Sequence, residues 1–221
     1  MSITQHLIKL KETLPPHITL VAVSKFQPVE VIQEAYDAGQ RVFGENRVQE
    51  LTAKYPQLPS DIQWHFIGTL QTNKVKYIVP FVDTIQSIDS LNLLKEVEKQ
   101  AVKCNRRIRV LLEVHIAEET TKHGFGTDEC LRLFRENLLD AYPHVIVAGL
   151  MGMATFTDNT GQVRKEFQTL KALFDEIKQS GIAGDAFTEL SMGMSDDYAV
   201  AIRNGSTMIR VGTLIFGARG K

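Results

Sequence analysis

The chain has 221 residues, of which 25 are basic and 26 acidic, and a formal net charge of −1. This even balance offers no overall positive field for nucleic acid or for an anionic membrane. Hydrophobic residues make up 43% of the chain, as in ordinary globular proteins, and no apolar run approaches the roughly 20 residues of a membrane-spanning helix.

The N-terminal segment MSITQHLIKLKETLPPH predicts an amphipathic helix over about residues 3–13 and has no signal-peptide core. We therefore expect a cytoplasmic protein. Residues 18–24 then form an apolar, mostly β-branched strand that runs into Lys25 and is stopped by Pro28. An ammonium group at the end of a buried strand is costly without a partner, so Lys25 is the first candidate functional residue.

From this strand onward, strand-like and helix-like segments alternate. Further strands are predicted at residues 41–45, 64–68, 84–88, 107–116, 145–151, 187–191 and 207–211. Helices are predicted at residues 28–39, 90–105, 127–143, 161–181 and 195–205, the last with Ser195 as its N-cap. Strict alternation indicates a parallel sheet. Eight units without a linker favour one α/β domain over residues 1–221, a closed (β/α)8 TIM barrel with an extra N-terminal helix, over an open doubly wound sheet.

The loops after strands seven and eight are the usual phosphate site of a (β/α)8 barrel. Here they read SMGMSDD (residues 191–197) and RVGTLIFG (residues 210–217), with small residues that let backbone N–H groups face outward. The alternative is that these glycines serve only as turn residues. Because the two motifs occur together at the two expected strands, they nevertheless predict phosphate binding in the barrel mouth.

A desolvated lysine beside other cations can lose its proton and attack an aldehyde. Lys25 together with a phosphate site therefore indicates a phosphorylated aldehyde, either pyridoxal 5′-phosphate (PLP) or the sugar phosphate of an aldolase. The alternatives are a Lys25 that extends to the surface or one that pairs with Glu45. Arg210 favours PLP, because a guanidinium beside the pyridine nitrogen stays protonated and keeps the ring neutral; an internal salt bridge is the competing interpretation.

Five stretches carry a family resemblance: VAVSKFQP, FGENRVQE, WHFIGTLQTNK, TKHGF and LSMGMSDDYAVAIRNGSTMIRVGTLIFGAR. Together they resemble the pyridoxal phosphate homeostasis protein family, which is similar to the barrel domain of alanine racemase, the fold-type III group of PLP proteins. The resemblance implies a PLP aldimine on Lys25 and the pyridine nitrogen beside Arg210. It further implies phosphate contacts from Ser191, Gly212 and Thr213, a position near the lysine or ring hydroxyl for Asn46, and a ring-lining role for Ile67.

The resemblance implies a protein that holds and supplies PLP and affects the balance of amino and keto acids. Related racemases add a C-terminal domain and a second base from a partner subunit. This chain ends at Lys221 and shows no clear second base, which racemisation needs. We therefore expect a monomeric PLP carrier without efficient catalysis, whose partners are PLP and, transiently, PLP-dependent apo-enzymes. A small PLP-dependent racemase and a Schiff-base aldolase are the alternatives.

Two weaker features complete the sequence. The segment EETTKHGFG (residues 118–126) follows strand five, and its Lys122 is either a second aldehyde acceptor during transfer of PLP or an ordinary loop lysine. His65 and His115 lack a third clustered ligand, and Cys104 and Cys130 are not spaced as a metal-binding pair, so no metal site is expected.

Overall fold

The computed structural model describes residues 2–118 and 123–217. Over these residues, eight parallel strands close into a barrel in chain order, with β1 paired to both β2 and β8. The strands are β1 (Thr19–Val23), β2 (Val42–Glu45), β3 (Gln63–Phe66), β4 (Thr84–Ile88), β5 (Ile108–Glu113), β6 (Val145–Met151), β7 (Glu189–Ser191) and β8 (Met208–Val211). The predicted α/β TIM barrel is confirmed.

Helices surround the barrel between the strands. They are α1 (Ile3–Thr13), α2 (Val29–Asp37), α3 (Val48–Lys54), α4 (Val75–Ile78), α5 (Leu91–Lys103), α6 (Thr127–Arg135), α7 (Thr160–Gln179), α8 (Tyr198–Arg203) and α9 (Thr213–Phe216). The predicted N-terminal helix is confirmed as α1, which begins with a capping box formed by Ser2 and Gln5. In the described part of the chain, no helix is long and apolar enough to cross a membrane.

Three short helices, α3, α4 and α9, were not predicted from the sequence, and two predicted helices differ from their predicted bounds by more than two residues. The helix predicted over residues 127–143 ends at Arg135, because Asn137 adopts a left-handed φ of 53° and a short 3-10 segment follows. The predicted N-cap of α8 is Ser195, but that position belongs to Asp197. Residues 194–197 form a turn ahead of the helix, in which the Asp197 carboxylate accepts a hydrogen bond from the Met194 N–H at 2.6 Å.

The hydrophobic core has two parts because successive residues of a strand face opposite sides of the sheet. The larger part lies between the strands and the surrounding helices and includes Phe43, Trp64 and Phe167. The smaller part lies inside the barrel; it consists of Val21, Leu111, Ala148, Met151 and Met208. Apolar packing at these five positions makes the barrel interior a solid support for groups placed at its upper end.

Candidate functional site

A cavity of about 590 Å³ opens at the C-terminal ends of the strands, within the usual size range of small-molecule sites. It is lined by Val23, Lys25, Gln27, Asn46, Arg47, Ile67, Gly68, Thr69, Glu113, Met153, Phe156, Met194, Ser195, Asp196, Arg210, Gly212, Thr213 and Gly217. The cavity thus gathers residues that are nearly 200 positions apart in the sequence. Six of the seven predicted site residues line it, and Ser191 is the exception.

Lys25 lies in a tight turn directly after β1. The Gln27 N–H donates to the Ser24 carbonyl at 3.0 Å, and Phe26, the third residue of this β-turn, has a left-handed φ of 65°. A left-handed conformation is unfavourable for a bulky residue. The Phe26 N–H donates to the Glu50 carboxylate at 2.9 Å, which holds the turn in this conformation. The turn places Lys25 in the cavity wall.

A buried ionic network supports the Lys25 turn from below. The Lys54 ammonium donates to Glu45 at 2.7 Å, to Glu50 at 3.2 Å and to the Ser24 carbonyl at 3.0 Å. The Ser24 hydroxyl also donates to Glu45 at 2.7 Å. Burial raises the pKa of Glu45, and Lys54 opposes that shift. Lys54 and Ser24 both donate to the same oxygen of Glu45. Because Lys54 belongs to α3 and also bonds to the Ser24 carbonyl, α3 is fixed to the start of the Lys25 turn.

Arg210 and Ser191 form a buried pair below the cavity. Arg210, on β8, lines the cavity although only 4% of it is exposed. Its guanidinium donates to the Ser191 hydroxyl at 2.6 Å and to the Gly152 carbonyl at 3.1 Å. Burial lowers the pKa of Arg210 to about 10, so it stays protonated at neutral pH. Ser191 is fully buried and does not line the cavity, and its position therefore fits support of Arg210 rather than contact with a phosphate.

Ser195 is a second serine of the SMGMS stretch, and unlike Ser191 it lines the cavity. It lies four residues later, and its hydroxyl accepts a long 3.4 Å hydrogen bond from the Gly212 N–H. The Gly212 N–H and the Ser195 hydroxyl therefore converge on one point of the wall, beside the exposed Thr213. A backbone N–H bonds more strongly to an anion than to a neutral hydroxyl, so an anion at this point would compete well for the Gly212 N–H. The sequence does single out Ser195, as the predicted N-cap of a helix, but a serine at a helix N-cap is not by itself a sign of a binding role.

Asn46 and Ile67 form the side of the cavity next to β2 and β3. The Asn46 side-chain oxygen is buried, and no partner for it exists among the described residues. A buried polar atom without a partner calls for an explanation, and a ligand in the cavity would supply the missing partner. Gly68 allows the β2 and β3 ends to pack closely at Asn46, since a Cβ at position 68 would lie 2.3 Å from the Asn46 carbonyl oxygen.

Glu113 is a cavity residue whose role sequence reasoning missed. It is the last residue of β5, and 6% of it is exposed. Burial and the nearby Asp89 raise the pKa of Glu113 to about 7, while Arg210 acts in the opposite direction. The cavity thus contains a carboxyl group that gains or loses its proton near neutral pH, which is the behaviour of a general acid or base. Only the packing of the folded chain around it reveals this property.

Among the described residues, the other candidates His65, His115, Cys104 and Cys130 do not line the cavity. Lys122 lies outside the described residues. Across residues 2–118 and 123–217, no three His, Cys, Asp or Glu side chains cluster as metal ligands. His65 is inside the barrel, and the His115 ring bonds to the Ala117 carbonyl at 2.8 Å. Burial raises the pKa of Cys130 to about 12, as expected for an inert thiol.

Comparisons with known proteins place the chain in a family. Residues 2–220 match the family model for the alanine racemase N-terminal domain. A pyridoxal phosphate homeostasis protein of Aquifex aeolicus is 45% identical over 201 residues, which are 90% of this chain and 86% of that protein. The chain belongs to the pyridoxal phosphate homeostasis protein family. The resemblance noted in the sequence is confirmed.

Solved structures of this family share the same barrel. PipY of Synechococcus elongatus PCC7942 without PLP is 37% identical to the chain, with a TM-score of 0.92, and covers 98% of this chain and 100% of PipY. The structure of PipY with PLP bound is 36% identical, with a TM-score of 0.88 and the same coverage. Alanine racemase of Clostridium difficile, at 15% identity and a TM-score of 0.83, shows the fold alone; the match covers 100% of this chain and 57% of that enzyme.

Proposed function

We propose that the chain binds PLP in the cavity at the C-terminal ends of its strands and acts in PLP homeostasis by holding and supplying the cofactor. The observation that carries this proposal is the convergence of Lys25, Arg210 and the Ser195–Gly212 pair on one cavity. Family membership supports it, since the relatives are named pyridoxal phosphate homeostasis proteins and PipY has been solved with PLP bound.

The residues present suit the chemistry of PLP. Three lining side chains are cationic (Lys25, Arg47 and Arg210) and two are carboxyls (Glu113 and Asp196). The cavity therefore favours an anion, although the whole chain has a net charge of −1. The Ser195 hydroxyl and the Gly212 N–H would hold the phosphate together with Thr213. The unpartnered Asn46 oxygen and the Ile67 side chain would border the ring.

Lys25 has the decisive role in this proposal. PLP supplies an aldehyde, and the Lys25 amine would bond to its carbon with loss of water. The buried network of Lys54, Glu45 and Glu50 would hold the turn that presents this amine. Arg210, protonated at neutral pH, would donate a hydrogen bond to the pyridine nitrogen and leave the ring a weak electron sink.

A labelling experiment tests the attachment. The protein loaded with PLP is expected to be yellow, and borohydride reduction followed by peptide mass spectrometry is expected to find the label on Lys25. Lys25→Ala should lose both signals, whereas Lys76→Ala, a change on α4 away from the cavity, should keep them. Failure of the wild-type protein to bind PLP, or a label on another lysine only, would refute the proposal.

We further propose that catalysis is inefficient and that PLP passes to apo-enzymes as transient partners.

A small PLP-dependent racemase is the second candidate function. One observation favours it: Glu113 lines the cavity, and its pKa is raised to about 7. Racemisation requires a proton to leave one face of the substrate carbon and return to the other, and Glu113 is a candidate for the second group. Incubation with single enantiomers of amino acids decides between the two. Sustained turnover that both Lys25→Ala and Glu113→Gln abolish would establish the racemase.

The single-domain organisation over residues 1–221, the cytoplasmic location and the monomeric state stay predictions. Size-exclusion chromatography with light scattering checks the monomer, since a mass near 24.8 kDa is expected. An aldolase is not favoured by the family relatives.

A further inference from the structure

A chain of buried polar side chains runs through the barrel interior below the cavity. From Arg210 on β8 it continues through Ser191 on β7 to Gln86 on β4, where the Ser191 hydroxyl and the Gln86 amide oxygen are 2.7 Å apart. It ends at His65 on β3, whose Nδ1 lies 2.8 Å from the Gln86 amide nitrogen. Gln86 and Ser191 are fully buried, and His65 and Arg210 are 4% exposed. Polar groups are costly in a barrel core, so the chain requires an explanation.

The donors and acceptors of these four side chains permit only one direction of hydrogen-bond donation, from Arg210 towards His65. A guanidinium only donates, so the Ser191 oxygen accepts from Arg210, and the single Ser191 proton goes to the Gln86 amide oxygen. The Gln86 amide nitrogen must then donate to His65 Nδ1. His65 is therefore neutral with its proton on Nε2, the nitrogen that lies 3.7 Å from the Asp83 carboxylate. This agrees with the buried environment of His65, which lowers its pKa to about 4.

Gln86 lies on β4 within a local irregularity of the strand. Between Ile85 and Ile88, the strand advances three residues while its partner β5 advances two, from Val110 to Leu112. An extra residue of this kind is a β-bulge, and bulges redirect side chains. Ile85, the neighbour of Gln86, packs in the larger core outside the barrel, so the Gln86 side chain faces inward and reaches across the barrel to Ser191, 105 positions away in the sequence.

We propose that Gln86 is a positioning residue of the cofactor site, which acts through Ser191 to fix the orientation of the Arg210 guanidinium. This inference rests on the proposed function, in which Arg210 faces the pyridine nitrogen of PLP. A guanidinium is planar, so the hydrogen bond it offers depends on the rotation of its plane. Ser191 and the Gly152 carbonyl each engage one nitrogen of Arg210 and define that plane. Gln86 in turn fixes the Ser191 hydroxyl as an acceptor for Arg210.

The test compares Gln86→Met with a matched control, Gln40→Met. Gln40 is also a buried glutamine, 3% exposed, and its amide donates to the Leu20 and Val42 carbonyls at 2.7 Å each. Gln40 has no hydrogen bond to Arg210 or Ser191. Its replacement therefore removes buried hydrogen bonds but leaves the series from Arg210 to His65 intact. Gln86→Met is expected to weaken PLP binding about three- to tenfold, the range for one lost hydrogen bond. It is also expected to shift the pH midpoint of the visible spectrum of bound PLP, while Gln40→Met changes neither property.

A conservative variant and a measurement without cofactor complete the test. Gln86→Glu keeps an acceptor for Ser191, so PLP affinity should recover relative to Gln86→Met. The pKa of His65 should rise in this variant, because a carboxylate beside Nδ1 favours the protonated ring. In the wild-type protein without PLP, nitrogen-15 NMR of His65 should show the neutral ring with its proton on Nε2. A proton on Nδ1 at neutral pH would overturn the inferred direction of the chain and with it the proposal.

The two possible failures are distinguishable. A wild-type protein that does not bind PLP refutes the proposed function and the positioning role together. A wild-type protein that binds PLP, with Gln86→Met and Gln40→Met equal in affinity and in the pH dependence of the spectrum, refutes only the role of Gln86.

Discussion

Replacement of Glu113 by glutamine is expected to stabilise the protein without PLP at neutral and alkaline pH. Burial raises the pKa of Glu113 from its ordinary value of 4.5 to about 7. The folded state therefore binds the Glu113 proton more tightly than the unfolded state does. Stability from this group is fully present below about pH 4.5 and is lost as the pH rises through about 7. Glutamine resembles the protonated carboxyl at every pH, so the variant avoids this loss.

The size of the effect follows from the shift. Each pKa unit corresponds to about 1.4 kcal/mol of preference for one protonation state. A rise from 4.5 to about 7 therefore corresponds to about 3 kcal/mol, which makes the expected advantage of Glu113→Gln about 3 kcal/mol at pH 8 and near zero at pH 4. Glu113 is only 6% exposed, so solvent screening takes little from this figure.

The measurement is urea unfolding of both proteins, without PLP, at several pH values between 4 and 9. The difference in the free energy of unfolding should grow through the interval from about pH 4.5 to 7 and then level off. Asp185→Asn, a change of an exposed loop carboxyl, controls for the loss of one negative charge and should show no such growth. A Glu113→Gln advantage that does not vary with pH would refute the assignment of a raised pKa to this carboxyl.

Three further predictions concern the surroundings of Lys25 and the phosphate position. Lys54→Met should destabilise the fold by about 3–5 kcal/mol in urea unfolding, because it leaves Glu45 buried without its cation, and adding Glu45→Gln should recover part of the loss. Ser195→Ala should weaken binding of PLP by about ten- to hundredfold but leave binding of pyridoxal, which has no phosphate, unchanged in the same titration; equal losses for both would contradict the phosphate role. Gly68→Ala should lower thermal stability by about 1–3 kcal/mol and reduce PLP affinity, since its Cβ would press on the Asn46 backbone; an unchanged melting temperature would show that the segment moves freely.

Most of the fold was predictable because its elements repeat a local pattern. Apolar strands bounded by glycine and proline, alternating with helical periodicity, predicted all eight strands and α1. The short helices α3, α4 and α9, of seven, four and four residues, were not predicted, because so few residues show no clear periodicity. Another departure occurred where a single residue overrides the pattern. The helix predicted over residues 127–143 is apolar at helical spacing throughout, yet Asn137 interrupts it with a left-handed backbone. Asparagine tolerates that conformation, but its presence alone does not require it.

The site was predictable to the extent that strand ends meet at one edge of a barrel. That rule brought Lys25, Arg210 and Gly212 together before any geometry was known. It does not say which way a side chain points when a strand stops and a loop begins. Ser191 and Ser195 are both polar residues in one short stretch, but Ser191 belongs to β7 and is buried, while Ser195 lies in the loop and faces the cavity. Gln86 escaped notice for a related reason, since the sequence does not show that its side chain meets Ser191 across the barrel.

The left-handed backbone of Phe26 has a consequence for the thermodynamics of ligand binding. A phenylalanine in this conformation costs about 1–2 kcal/mol, a cost that the folded protein has already met before any ligand arrives. The Glu50 carboxylate and the Arg47 guanidinium, which lies 4.8 Å from the centre of the Phe26 ring, hold the conformation. The Lys25 amine is thus presented by a preformed turn, and binding requires little ordering of the chain there. Phe26→Gly should free the turn and make the entropy of PLP binding less favourable in calorimetry, whereas an unchanged entropy would show that the turn orders only when ligand binds.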